Sequence, residues 1–379
     1  MQGMPEPLSM TRAAGLDRLT AFLAGPGANY ASARNTDRAR GAAPTTSALS
    51  PYLRRRLLTE EEVAQAAVRT LGDRGAEKFV SEVFWRTYFK GHLETHPTAW
   101  TRYLAGMSEA RERLGAEPGL RRTYERAVEG RTGIDGFDAW AIQLAEEGWL
   151  HNHVRMWFAS IWIFTLRLPW ELGAAFFLQH LLDGDPASNT LSWRWVAGLH
   201  TRGKHYVARA ENIRRYTEGR FDPSGIDAYP DPLDEGMPPR EVGLERADAP
   251  PEEAVALLLH LDDLHPESLP LGRARVMRVG GIVAHAEGAT ALVRAADTAA
   301  MADALARAEA RFGCPAGPVC DGWARDLPVV TAWAPVGPSA DALPAGCIRV
   351  RRAWDEAAWP LSTRGFFRLR SAIPRLMEV

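Results

Sequence analysis

Asn152-His-Val-Arg155-Met156, followed by an apolar run and then Leu182-Asp183-Gly184-Asp185-Pro-Ala-Ser-Asn189-Thr-Leu-Ser-Trp193-Arg194-Trp195, is the stretch from which the rest of the chain is read. Two carboxylates flank one glycine in a turn, so they repel unless Arg155, Arg194 or the donors of a ligand neutralise them. An Arg155–Asp183 pair is therefore expected at the end of a buried helix. Trp193 and Trp195, two positions apart, point to different sides of their segment, which lets one face the interior and the other a cavity. Taken singly, these features read as a capped turn, an ion pair and core tryptophans. The apolar run Met156–Leu168 is interrupted by Arg167 and is shorter than the ~20 residues that a bilayer span needs, so it predicts a helix buried in protein.

Outward from this block, residues from about 15 to 220 repeat helix-period apolar patterns between short polar joints. Thr59 ahead of Glu60, Glu61 and Glu62 predicts an N-cap with an acidic first turn. Ala76–Leu93 continues as a long helix with Gly91 near its end, and Asp135 or Gly136 opens another that closes at Gly148. Pro223, Pro230, Pro232, Pro238, Pro239, Pro250 and Pro251 among acidic residues mark a linker over 221–251. Beyond it, apolar runs at Ala254–Leu259, Gly281–Ala284, Val329–Trp333 and Ile348–Val350 alternate with a helix at Thr298–Phe312, the pattern of a small α/β layer. The expectation is a helical domain at 1–220, a linker at 221–251 and an α/β domain at 252–379.

The chain has 379 residues, a net charge of −2 and 46% hydrophobic residues, which is ordinary globular composition and excludes extended disorder or a polybasic arm as its theme. Its three cysteines, Cys314, Cys320 and Cys347, form neither a disulfide framework nor a paired metal motif, and a reducing cytoplasm is expected. Met1–Met10 does not read as a signal peptide. The 13 tryptophans equal the phenylalanines in number and exceed the tyrosines, a skew toward the largest π-face. His151-Asn-His153 and His200-Thr-Arg-Gly-Lys-His205 lack the spacing of a helical metal-ligand pair. Arg202, Lys204, Arg209, Arg214 and Arg215 form a local basic segment, read either as a solvated face or as a phosphate-contacting one.

The order Asn152-x-x-Arg155-Met156, Asp183-Gly-Asp185, Asn189, Trp193 and Trp195 resembles the flavin-cradling core of the photolyase/cryptochrome family. Further matches follow in register. Thr46-Ser47-Ala48-Leu49-Ser50-Pro51-Tyr52-Leu53 resembles that family's phosphate-binding turn, and Glu82-Val-Phe-Trp85-Arg86-Thr-Tyr-Phe89 its helix along flavin and lesion. Tyr30 and Arg34 resemble its early flavin contact region, and Gly133-Ile-Asp135-x-x-Asp138-Ala139 the start of its next helix. The resemblance spans residues 15–220 and implies FAD, with Tyr30, Thr46, Ser47, Leu49, Ser50, Arg86, Arg155, Asp183, Asp185 and Asn189 around it. It implies that Asn189 faces flavin N5 and that Trp193, then Trp170, pass electrons inward. It also implies that Glu82, Trp85, Asn152, Met156 and Trp195 hold a flipped pyrimidine dimer of UV-damaged DNA, with flat walls and base-edge hydrogen bonds. The activity so implied is light-driven dimer repair by electron donation from excited reduced flavin. The alternative is a cryptochrome-like blue-light sensor that signals to a protein partner, and no membrane association is expected from either.

The chain departs from the family pattern in three places. Arg54-Arg55-Arg56 follows the Ser-Pro turn where a small residue is usual, and is expected to reach phosphate. Arg111–Ala127 holds no tryptophan for the outermost electron-transfer position, leaving Trp100, Trp140, Trp157 or Trp162 as substitutes. The family's α/β domain precedes its helical domain, and there is no room for it before Tyr30. The segments Ala254–Leu269 and Val329–Pro335, with Phe366-Phe367, resemble strands of that antenna domain in a changed order; a second chromophore is left open.

Overall fold

The computed structural model describes residues 8–39, 41–42, 44–201 and 203–378. Met1–Pro7, within the N-terminal stretch read above, and Arg202 of the basic segment lie outside the described residues. The chain divides into two compact units, one of Met1–Ala28, Ser47–Thr95 and Val242–Val379, the other of Asn29–Thr46 and His96–Glu241. The long helix that the sequence groups with the helical region thus shares a unit with the α/β layer.

In the first unit, five parallel strands, β1 (Ala254–His260), β2 (Arg275–Ile282), β3 (Ala316–Pro318), β4 (Val329–Ala332) and β5 (Ile348–Val350), stand in the order β3-β2-β1-β4-β5. Central β1 is buried from Val255 onward; its unbroken Val-Ala-Leu-Leu-Leu run is what a parallel strand covered on both faces requires. Gly280 and Gly281 on β2 point to opposite faces. A Cβ would come within 2.7 Å of the Trp323 ring on one and 2.6 Å of Met301 Sδ on the other, so both faces are closed against the sheet. The helix Ala291–Phe312, capped by Thr290 and ended by Gly313 in the left-handed region, joins β2 to β3. It begins seven residues before the expected Thr298. Strand β2 lies earlier than Gly281–Ala284, β3 was not anticipated, and Phe367 opens a helix, Phe367–Leu376, rather than a strand.

The helix Glu60–Thr95 starts where Thr59 Oγ1 accepts from Glu62 N at 3.2 Å and breaks at Gly72, whose φ of 71° leaves the helical region. Gly91 is required by packing rather than by termination, since a Cβ there would sit 2.8 Å from Trp359 Cδ1. Arg54-Arg55-Arg56 corrects the expectation of phosphate contact. All three guanidinium groups are buried in ion pairs: Arg54 with Asp262 at 2.9 Å, Arg55 with Asp297 at 2.5 Å, and Arg56 with Glu60, Asp263 and Asp355 at 3.0, 3.3 and 2.7 Å. Carboxylates distributed over three hundred residues of sequence are invisible to a local reading, and they turn an apparent basic patch into an internal network.

The second unit is helical. Thr98–Ala116, Pro118–Val128, Phe137–Glu147, Asn152–Ser160, Trp170–His180, Pro186–Ala197 and Ala210–Tyr216 are its main helices. Phe137–Glu147 starts after Gly136 and ends at Gly148 with φ of 65°, as the glycine pattern predicts. The apolar run after Met156 is indeed buried, but it widens into a π-helical turn at Ile161–Thr165. The Pro-rich stretch carries no regular element from 221 to 241, yet it packs within the unit: Leu233 N donates to Ala197 O at 2.9 Å and Asp227 N to Thr165 Oγ1 at 3.0 Å. Among the described residues no helix is long and apolar enough to cross a membrane.

Candidate functional site

Within the helical unit, the residues quoted first do converge. His151 caps Asn152–Ser160 by accepting from His153 N at 3.2 Å, and Arg155, one turn in, donates to Leu150 O and to Asp183 Oδ2 at 3.0 and 2.9 Å. The expected Arg155–Asp183 pair is therefore present. Gly184 N donates to Leu181 O at 3.0 Å to close the turn, and Asp185 Oδ1 then accepts from Ser188 N at 2.8 Å as N-cap of Pro186–Ala197. This accounts for Asp-Gly-Asp locally: one carboxylate pairs with a cation and the other caps a helix whose positive end favours a negative charge.

Asp183 keeps an acceptor over. Asp183 is 9% exposed, and its Oδ1 is buried without a hydrogen-bond partner among the described residues. A buried unpaired carboxylate oxygen is costly and calls for a donor from outside the chain. Asn189 is buried and donates to Ala174 O at 2.9 Å, which fixes the orientation of its amide. Trp193 is 2% exposed, and its indole N–H is likewise buried without a partner. A carboxylate acceptor, a held amide and an indole donor form a set suited to the polar edge of a flat heteroaromatic such as isoalloxazine. His151 is buried beside this turn, and burial, with His153 and Arg155 adding to it, pushes its pKa down to about 4, so it is neutral at pH 7.

Of the rest of the second unit's set, Asn152, Met156 and Trp195 lie at or near the surface. Asn152 is exposed and Met156 half-buried; Trp195 is 37% exposed and stacks on Tyr206 at 5.5 Å between centroids. The opposed exposure of Trp193 and Trp195 is as their spacing predicts. Tyr30 is buried and Thr46 half-buried. Trp170 is buried and contacts Tyr103, whereas Trp193 contacts Trp162 and Phe177.

In the first unit, Ser47 Oγ accepts from Leu49 N at 3.4 Å, and Ala48 between them has a φ of 48°, a backbone state that non-glycine residues adopt at a cost. Leu49 is buried; Ser50 opens the short helix Ser50–Arg54. Glu82 and Trp85 are half-buried on Glu60–Thr95. Arg86 is engaged by the protein itself, donating to Glu60 Oε1 at 3.1 Å and Arg54 O at 2.9 Å. Trp85 carries a feature that the sequence did not suggest: Phe366 stacks on its ring at 3.9 Å and 16°, held edge-on by Tyr88 at 5.7 Å. The Phe-Phe pair after Gly365 was the only local signal of it.

The sheet has its own ligand-prone crevice, beyond the carboxyl ends of β1 and β4 where strand order reverses. Protein fills it. His260 Nε2 meets Ala332 O at 3.0 Å, and Asp262 receives Arg54 and Lys90 at 2.9 and 3.1 Å. Burial alone would raise the Asp262 carboxyl; the two cations outweigh it and hold the group far below the usual range. Among the described residues no group of three His, Cys, Asp or Glu is arranged to hold a metal ion.

Residues 79–230 match the family model described as the FAD binding domain of DNA photolyase. The chain is 34% identical over 253 residues to a deoxyribodipyrimidine photo-lyase of Streptomyces griseus, covering 58% of this chain and 52% of that one. It is 37% identical over 232 residues to the photo-lyase of Thermus thermophilus, covering 60% and 52%. It is also 29% identical over 219 residues to Cryptochrome-1 of Arabidopsis thaliana, covering 55% and 30%. The chain thus spans about half the length of the first two relatives. The cofactor of the matched domain is FAD, and the unpaired Asp183 oxygen, the held Asn189 amide and the Trp193 indole fit it.

Proposed function

We propose, for a chain that belongs to the photolyase/cryptochrome family through its helical region, light-driven repair of pyrimidine dimers in UV-damaged DNA. The single observation that carries the flavin part is the buried Asp183 Oδ1 left unpaired while Oδ2 holds Arg155. Bound reduced FAD supplies, on excitation by blue or near-UV light, one electron to the dimer and recovers it after splitting. Asp183, Asp185 and Arg155 orient the ring and ribose region, Asn189 faces its centre, and Tyr30, Thr46, Ser47, Leu49 and Ser50 receive the rest of the cofactor. Arg86 contributes by fixing Glu60 and the Arg54 carbonyl, to which its Nε and Nη2 donate. In the first unit Trp85 offers a flat wall to a flipped base and Glu82 bonds a base edge; in the second Trp195 offers a flat wall, Asn152 bonds a base edge and Met156 makes an apolar contact.

The deciding experiment incubates dimer-containing DNA with FAD-loaded, chemically reduced protein, with and without light. Loss of dimers only in the light supports repair. Intact dimers, together with reversible flavin photoreduction and altered protease cleavage near residues 221–251, replace it with the cryptochrome-like sensor, a reading that the similarity to a plant cryptochrome favours. A colourless protein that takes up no FAD overturns both.

A further inference from the structure

We infer that two helices of the first unit, Glu60–Thr95 and Phe367–Leu376, present a surface for the phosphate backbone of duplex DNA beside the flipped dimer, with Arg74, Lys78, Arg364, Arg368 and Arg375 as its cations. This rests on the repair reading above and names contacts that it did not use. The C-terminal helix lies against the longer one and runs opposite to it. Phe366, just ahead of its first turn, stacks on Trp85, and Arg370, farther along, meets Glu77 at 3.3 Å. The surface therefore begins at the wall that Trp85 offers to a flipped base.

Helical spacing aligns the cations. Past the break at Gly72, Arg74, Lys78, Ser81 and Trp85 recur at the intervals that share one helix face; Arg74 and Lys78 are exposed, Ser81 and Trp85 half-buried. On the C-terminal helix, buried Leu369 and Leu376 share one side with half-buried Ile373, and exposed Arg368, Ser371 and Arg375 share the other. Arg364 is exposed in the turn that leads into it. At a rise of about 1.5 Å per residue, Arg74 and Lys78 lie about 6 Å apart along their axis and Arg368 and Arg375 about 10 Å. A DNA strand carries one phosphate per about 3.4 Å of its axis, so each pair spans about two to three steps of it.

These cations are available because the protein does not use them itself. Among the described residues none of the five is in an ion pair, whereas Arg54, Arg55, Arg56 and Arg352 of the same unit are spent on buried carboxylates. Residues 364–378 carry four arginines and one carboxylate, Glu378. On the longer helix Glu77 is taken by Arg370, and Asp73 and Glu82 flank the Arg74–Lys78 row on either side. In a chain of net charge −2, a local excess of this kind is what attracts a polyanion. Contacts to phosphate fix register and orientation without reading the bases. The surface thus holds duplex irrespective of damage, and Trp85 beside it meets the flipped base.

The test follows binding of the full chain, loaded with FAD, to duplexes with and without a pyrimidine dimer by fluorescence anisotropy from about 50 to 200 mM salt. Arg368→Ala with Arg375→Ala, and separately Arg74→Ala with Lys78→Ala, are each expected to weaken both duplexes about equally. Each pair is expected to lower the slope of log affinity on log salt by about 2, so that the affinity lost across that range shrinks about tenfold. Arg368→Lys with Arg375→Lys keeps the charge and is expected to retain the slope, which separates a lost phosphate contact from altered packing. Arg275→Ala with Arg311→Ala, at two exposed arginines elsewhere in the same unit, is the control. Unchanged slopes in both alanine pairs, weakening confined to the dimer duplex, or an equal fall in the control overturns the surface. Wild type that splits dimers in light while both pairs keep the slope leaves the repair reading standing without it. Wild type that binds duplex through these residues but splits no dimer overturns the repair reading and keeps the surface as a general DNA contact; wild type that binds neither duplex overturns both.

Discussion

Asp183 divides its work between two oxygens, one on Arg155 and one without a partner in the chain. Asp183→Ala removes both and leaves Arg155 without its carboxylate, a loss of about 1–3 kcal/mol. FAD retention is expected to fall about five- to a hundredfold, measured by flavin absorbance after gel filtration. Trp195→Ala, on a ring already 37% exposed, is expected to keep the flavin and to weaken binding of dimer-containing DNA by about 1–3 kcal/mol, read by fluorescence anisotropy. The reverse pattern would refute the assignment of these two residues. At this scale the sequence was informative: the Arg155–Asp183 pair and the inside-outside contrast of Trp193 and Trp195 follow from spacing, whereas the cap that Asp185 gives Pro186–Ala197 came from the structure.

The helix Glu60–Thr95 and the short helix before it are bound to the α/β layer of their own unit by buried charge. Arg55 and Asp297 are nearly inaccessible, and His285 Nδ1 adds a contact to Asp297 at 2.8 Å. Asp297→Ala strands the Arg55 guanidinium and is expected to cost about 3–5 kcal/mol, seen as a lower urea midpoint. Replacing both partners with leucine is expected to recover much of that loss, since the uncompensated charge disappears with its partner. Phe366, at the start of Phe367–Leu376, covers one face of Trp85. A base that stacks on that face must displace it. Phe366→Ala is therefore expected to tighten binding of dimer-containing DNA several-fold, whereas Phe367→Ala, at a ring 80% exposed, leaves it unchanged. Weaker binding in Phe366→Ala would show that the ring supports Trp85 instead of blocking it. Helix boundaries in this region were legible from Thr59 and the acidic turn; the ion-pair partners were not, because Arg55 and Asp297 are 242 positions apart.

Across the whole molecule, buried neutral histidines predict sensitivity to mild acid. His151 and His200 are each pushed down to about 4, first by burial and then by nearby positive charge. Their folded values lie below the ordinary 6.5, so the stability they contribute is complete above that value. It declines as pH falls and is exhausted near pH 4. The urea midpoint followed by tryptophan fluorescence is expected to drop between about pH 7.5 and pH 5, and the drop to shrink in His151→Gln, each histidine being worth about 1–3 kcal/mol. An unchanged drop in that variant would remove His151 from the account. The sequence by itself determined a helical region, a Pro-rich stretch and an α/β layer, because periodicity and caps are local properties of the chain, and its motif order carried the resemblance that implies FAD. Only the tertiary structure decided that the triple arginine is internal, that Glu60–Thr95 shares a unit with the sheet, that Phe366 lies on Trp85 and that Trp193 meets Trp162. Each of these depends on contacts between side chains remote in sequence, which spacing along a chain does not encode.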